Sequence, residues 1–375
     1  MSSEPRLSLP AQPQPPAPAP NPAESEVLIS IWEHLNGSLG GGKLTVEHCR
    51  IEPLPRRPGS RHVSAYHLLV HDEGSGQKRV LALIAKRDTT RGVGKAAREY
   101  AALNFLWDEG FGSEQQLKIP KPFDLLPNQN LILQESASGT KLTASIGGDS
   151  AESTSHFRMS GLWLAKLHGI KLSPPVTCSY DAELASLDLF VRELSGVLPP
   201  APLLRVQRLA EAIGQRLASC TDVTASLVHG DYHPEHIFVA DDSITVIDFE
   251  RFGCGDPAKD VGSFLAHTRS SGCLARKPPR VVDQETGEFL DSYFSALPLA
   301  AGAATASRIS AFDALSSLEA LYYVAAVLKV DDQPKLAAYL ECAERSGVLL
   351  THHIAIRRRG TISSAQYQAA AGAGA

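Results

Sequence analysis

Apolar and polar positions change their period once along this chain, from two in the first third to nearly four in most of the remainder. Val27, Leu28, Ile31, Trp32 and Leu35 recur at helical spacing, so Ser25 to Leu35 is expected to be a short amphipathic helix. From Leu44 to Arg87 the pattern is that of strands. His67–His71 and Arg79–Lys86 flank Asp-Glu-Gly-Ser-Gly, a loop composition suited to a hairpin. Gly94 to Trp107 has a helical period, and Leu131 to Gln134 reads as another short strand. Beyond Ser150 helical patterns dominate, among them Phe157 to His168, Ala182 to Leu194, Pro202 to Ser219 and Ala311 to Leu328. One short hairpin interrupts them at 237–248. A strand-rich beginning followed by a helix-rich remainder predicts an α+β protein of two lobes.

The two ends differ in composition. Residues 1–25 are rich in proline and alanine, which predicts a disordered, polyproline-prone tail. Residues 357–375 begin with a basic triplet and continue as Ala/Gly-rich sequence, a second flexible tail. Between them the expected division is an N-lobe over 26–135 and a C-lobe over 136–356.

Composition narrows the function classes. Of 375 residues, 43% are hydrophobic and 21% charged, enough apolar material for a sizeable core. A net charge of −5 leaves little excess of cations to neutralise nucleic-acid phosphates, so no nucleic-acid partner is expected. No run reaches the ~18 apolar residues of a bilayer span, and the N-terminus has no apolar signal core, so the expectation is a cytoplasmic protein away from the membrane. The six cysteines are scattered without a Cys-x-x-Cys pair, which fits a reducing compartment. Nothing in the sequence sets the oligomeric state.

The chemistry concentrates between His229 and Asp260. His229-Gly-Asp-Tyr-His-Pro-Glu-His236 precedes two apolar triplets around an Asp-Asp turn, and Asp248-Phe-Glu250 follows them. Pairing of the triplets would set His236 beside Asp248, with Asp231 in the loop that feeds the hairpin. Phosphoryl transfer needs one carboxylate to orient a hydroxyl and accept its proton, and another to hold a metal against nucleotide phosphates. Asp231 suits the first role and Asp248 the second. Asp256-Pro257 then opens a helix, Asp as cap and Pro at its first position, and Asp260 sits one turn in, placed to brace the loop by hydrogen bonds.

His-Gly-Asp-x-His-Pro-x-x-Ile, Val-Ile-Asp-Phe-Glu and Gly-Asp-Pro-x-x-Asp, in this order, resemble the aminoglycoside phosphotransferase family of kinase-fold enzymes. The resemblance extends over about residues 50 to 270 and implies a bilobal protein-kinase-like fold that binds ATP and Mg²⁺ between a β-rich N-lobe and a mainly helical C-lobe. It implies Lys86 as the phosphate-contacting lysine, at the end of an apolar strand. Glu99 would be its partner, on the same helix face as Leu103 and Leu106. Backbone groups of Gln134, Glu135 and Ser136 would meet the adenine. In the segment from Pro53 to Tyr66, Ser60 or Ser64 with the backbone amides would cover the phosphates, and Arg56, Arg57 and Arg61 would add positive charge. Gly161 to His168 resembles the helix that supports the catalytic loop, with His168 as a packed structural residue. In the family, position 236 is an asparagine that ligates the second metal. Here it is His236, whose imidazole suits softer ions and brings Mn²⁺ into play beside Mg²⁺.

The activity implied is transfer of the ATP γ-phosphate to the hydroxyl of a small molecule such as a sugar, an amino alcohol or an aminoglycoside-like compound. Two other readings stand beside it. A pseudokinase would bind nucleotide without turnover, and a metal-dependent hydrolase would use His229, Asp231, His233 and His236 as ligands. Gly37 to Lys43 nearly spells a P-loop, but Leu44 stands where the metal-binding hydroxyl belongs, and a linker after a helix is the expectation there.

Overall fold

The computed structural model describes residues 27–31, 44–55, 61–89, 94–148 and 150–356. Both tails, the P-loop-like stretch, Arg56, Arg57 and Ser60 lie outside these residues.

Residues 27–31 are helical (α1), and Val27 and Ile31 bury themselves against the first sheet. That sheet is antiparallel, with strand order β1-β2-β3-β6-β5. Its strands are β1 (Leu44–Pro53), β2 (His62–Asp72), β3 (Lys78–Arg87), β5 (Pro122–Leu126) and β6 (Leu131–Glu135). The hairpin expected from the alternation is β2–β3, and both strands run longer than the pattern suggested because the register stays unbroken from His62↔Arg87 to His71↔Lys78. Helix α2 (Lys95–Leu106) packs on β5 and β6 through Leu103 and Leu106, which are fully buried.

The remainder is mostly helical: α3 (Ala151–His168), α4 (Asp181–Ser195), α5 (Pro200–Ala218), α6 (Pro257–Leu274), α7 (Pro279–Ala296), α8 (Leu299–Tyr322) and α9 (Gln333–Ile356). Helix α3 starts six residues before Phe157 because Ser150 caps it, its hydroxyl accepting from the Ser153 amide at 3.1 Å. Helix α8 likewise begins well before Ala311, and its last turn widens over Tyr323–Val327. Trp163, Tyr232, Phe249, Phe264 and Phe289 form an aromatic spine, with Trp163 stacked on Tyr232 at 5.6 Å and Phe264 on Phe289 at 3.9 Å. The architecture is thus an α+β, kinase-like pairing of an antiparallel sheet region with a helical region.

Two small sheets are set into the helical part. β9 (Ile237–Ala240) and β10 (Ser243–Val246) form the expected hairpin, flanked by β4 (Leu117–Lys118) and β7 (Thr140–Lys141). β8 (Ser226–Val228) pairs with β11 (Gly253–Gly255). Among the described residues no helix is long and apolar enough to cross a membrane.

Candidate functional site

The loop carrying Asp231 leaves β8 at His229. Gly230 has a left-handed backbone (φ 80°), and a Cβ there would lie 2.4 Å from the Arg251 carbonyl, so only glycine lets the exit of β8 approach the segment entering β11 this closely. Asp260, buried one turn into α6, accepts the amides of His229 at 2.7 Å and Gly230 at 2.9 Å. His168 Nε2 donates to the same carboxylate at 3.2 Å, while its Nδ1 meets the Tyr293 hydroxyl at 2.8 Å. Burial by itself would raise the Asp260 carboxyl, but these donors outweigh it and hold it below the usual carboxylate range. His168 therefore packs structurally, and Asp260 braces the loop. Asp256 caps α6 by accepting from the Ala258 amide at 2.9 Å, and it also holds Arg308 bidentately at 2.5 and 2.8 Å.

The β9–β10 hairpin sets its two ends side by side: the Ile247 amide donates to the His236 carbonyl at 2.9 Å. His236 Nε2 lies 3.5 Å from Asp248 Oδ2, and its Nδ1 donates to the Asp231 backbone carbonyl at 3.0 Å. Asp248 itself adopts a left-handed conformation (φ 72°), a strain that clusters at functional sites. Burial opposes its ionisation, yet Lys86, His236 and Arg61 hold its carboxyl far below the usual range.

Facing this loop, Lys86 Nζ lies 2.6 Å from Glu99 Oε1 and 3.5 Å from Asp248 Oδ1. Arg61 joins them: its Nη2 is 2.7 Å from Glu99 Oε2, 3.0 Å from Asp248 Oδ1 and 3.4 Å from Glu250 Oε2. Its Nη1 is buried without a hydrogen-bond partner among the described residues. On the opposite wall Gln134 is buried and its Oε1 is likewise unpartnered among the described residues. The amides of Glu135 and Ser136 donate to the Lys121 and Ala82 carbonyls at 2.9 and 3.0 Å. Any base bound at this edge would therefore meet carbonyls, or amides further along, rather than those two N–H groups.

These groups surround a cleft of about 740 Å³ lined by Arg61, Lys86, Gln134, Asp231, His236 and Asp248. A second, smaller cavity of about 130 Å³ opens beside it, lined among others by Glu183, Asp231, Arg251, Ser263, Phe312 and Glu319. Asp231 is shared by both.

The four residues of the hydrolase reading narrow to three. His229 donates from Nε2 to the Ile247 carbonyl at 3.0 Å and accepts the Asp231 amide at Nδ1, so both ring nitrogens are engaged. Asp231, His233 and His236 keep ligand atoms within 4.8 Å of one another. Burial and the neighbouring His236 hold His233 well below the usual histidine range, so it is neutral near pH 7.

The sequence had offered Arg61 only as loop charge, not as a partner of both carboxylates, and had not marked Arg251, Glu183 or Glu319. Arg61 pairs with a residue 187 positions away, and no local pattern signals such a contact.

Solved structures share the fold at low identity. A thermostable mutant of aminoglycoside phosphotransferase APH(4)-Ia, in ternary complex with AMP-PNP and hygromycin B, matches at TM-score 0.52 and 15% identity, over 85% of this chain and 97% of that one. A glucosamine kinase matches at 0.54 and 16%, over 83% and 94%. Plasmodium vivax ethanolamine kinase matches at 0.51 and 13%, over 89% and 91%. Comparison with curated proteins gives no match. A model of the phosphotransferase enzyme family matches residues 58–329, most of the chain that holds the cleft and its loop. The chain belongs to that family.

Proposed function

We propose that this protein transfers the γ-phosphate of ATP to a hydroxyl of a small molecule, with Asp231 as the catalytic base. The observation that carries this reading is the position of Asp231, which lines both the large cleft holding Lys86 and Asp248 and the small cavity beside it. A carboxylate at that junction can accept the proton of a hydroxyl presented from the small cavity. Lys86, fixed by Glu99, neutralises phosphate oxygens presented from the large one. Arg61, with Nη1 buried and unpartnered among the described residues, adds a second cation to the same task. The fit to a nucleotide metal rests on the donor set: Asp248 and His236 turn Oδ2 and Nε2 toward each other at 3.5 Å. When bound there, a divalent ion supplies charge neutralisation to the transferring phosphate. The adenine edge is assigned to Gln134, Glu135 and Ser136, and the division between nucleotide and acceptor lobes to residues near 135.

The acceptor class follows the family: a sugar, an amino alcohol or an aminoglycoside-like compound, as the names of the glucosamine and ethanolamine kinases and the hygromycin B complex suggest. The test is ADP release against a panel of these compounds with ATP and either Mg²⁺ or Mn²⁺, and Asp231→Asn as control. Turnover with at least one hydroxyl compound, lost in the variant, is expected. Nucleotide binding without turnover under both metals would establish the pseudokinase instead.

A further inference from the structure

The orientation of His236 is fixed by a neighbour that can only accept. The Asp231 carbonyl has no proton to give, so the 3.0 Å contact requires the proton on His236 Nδ1. A metal-binding imidazole is neutral, and with the proton on Nδ1 its lone pair would lie on Nε2, which faces Asp248 Oδ2 at 3.5 Å. The two oxygens of Asp248 are divided between tasks. Oδ1 is taken by Arg61 at 3.0 Å and Lys86 at 3.5 Å, which leaves Oδ2 to the imidazole side. Two donors that share one ion at about 2.1 Å each stand roughly 3.0 to 3.5 Å apart. The observed pair therefore needs almost no movement to close on a cation.

The chemistry of that pair differs from an all-oxygen site. Mg²⁺ takes oxygen ligands and keeps its waters, whereas imidazole nitrogen binds first-row transition ions in preference. We infer that His236 Nε2 and Asp248 Oδ2 form a nitrogen–oxygen ligand pair that selects a divalent transition ion, such as Mn²⁺, over Mg²⁺ as the nucleotide's metal. The inference deepens the kinase reading above and rests on it for the nucleotide. A carbonyl-locked tautomer is a common way to fix a metal-binding imidazole, because it aims one nitrogen and raises its basicity. Here the lock comes from the backbone of Asp231 itself, so metal ligand and catalytic base are coupled through one peptide.

Pulsed electron paramagnetic resonance on the full chain with Mn²⁺ and AMP-PNP reads the ligation directly. The wild-type complex is expected to show nitrogen coupling to Mn²⁺ that changes its isotope signature when the protein carries ¹⁵N-histidine, which separates it from the adenine nitrogens. In His236→Asn that coupling disappears. In competition, Mn²⁺ displaces Mg²⁺ from the wild-type nucleotide complex with at least ~tenfold preference, and the variant narrows this preference. Absence of histidine coupling in the wild-type complex overturns the inference whether or not the variant folds. An equal affinity for the two metals in the wild type overturns it as well. Should no acceptor be phosphorylated with any metal while the histidine coupling is present, the ligand pair stands and the phosphotransfer reading falls.

Discussion

The ammonium of Lys86 lies 2.6 Å from the carboxylate of Glu99, and both side chains are buried. Glu99 also receives Arg61 at 2.7 Å, so one carboxylate holds both cations in the wall of the cleft. Taking that charge away leaves Lys86, among the described residues, only its longer contact to Asp248 at 3.5 Å, and leaves Arg61 with Asp248 and Glu250. Breaking a buried pair by removing one partner costs on the order of 3 kcal/mol. Glu99→Gln is therefore expected to lower stability by about 2–4 kcal/mol in urea denaturation. ATP or AMP-PNP should restore part of the loss by giving the cations phosphates to meet. A variant as stable as the wild type, with or without nucleotide, would contradict this account of the pair.

Asp231 touches neither cation of that wall, so its removal should separate chemistry from nucleotide binding. Asp231→Asn keeps the volume and the backbone carbonyl that holds His236, and loses the base. A positioned general base contributes typically 10²- to 10⁴-fold. The expected result is a fall in kcat of that size, with the dissociation constant for AMP-PNP within about threefold of the wild type by calorimetry. A variant that loses nucleotide binding in proportion to rate would place Asp231 in the binding site instead.

Why these residues were legible in the sequence, and others were not, depends on the reach of each contact. His236 and Asp248 are brought together by a four-residue hairpin pairing, Ser243↔Ala240 to Val246↔Ile237, which alternation and an Asp-Asp turn announce. Glu99 declares itself because a charge on the apolar face of α2, one turn before Leu103, needs a buried partner. Asp260 can be placed because Asp256 and Pro257 mark the start of α6. Arg61 carries no such mark. Its partners lie on α2 and beyond β10, and only the packing of the sheet against the helical part chooses among the arginines near it. The small cavity beside Asp231 draws on α4, α6 and α8 together, so its lining is a product of helix packing rather than of any motif.

The brace at Asp260 has a signed dependence on pH. Its carboxyl is held below its ordinary value in the folded protein, although burial pulls the other way. A depressed acid adds stability above its unfolded value, about 3.9, and that stability is lost as pH falls through the folded value. Asp260→Asn should thus cost about 2–4 kcal/mol at pH 7, where it leaves the His229 and Gly230 amides and His168 with a weaker acceptor. The gap between variant and wild type should shrink below about pH 4. Denaturant midpoints at about pH 7, 5 and 3.5 test this, and a gap that stays constant across the series would remove the carboxylate from the account.

Glu285 gives the opposite sign. It sits on α7, only 3% exposed, accepting from the Gly147 amide at 2.8 Å and from the Ser153 hydroxyl at 3.3 Å, with Oε2 buried and unpartnered among the described residues. Burial pushes its carboxyl up to about 7, more than those donors pull it down. Between its ordinary value of 4.5 and about 7, the folded chain holds a proton that the unfolded chain has lost, so stability must fall as pH rises through that window. The fall should amount to about 1.4 kcal/mol for each pH unit of that window, roughly 3 kcal/mol in all. Glu285→Gln cannot ionise, keeps an oxygen for the Gly147 amide, and should level the curve between about pH 5 and 7.5. Its advantage over the wild type is therefore expected to grow with pH, because the wild type alone has to charge a buried group between α3 and α7. Parallel slopes for the two proteins across that window would mean that Glu285 is already ionised in the fold at its acid end.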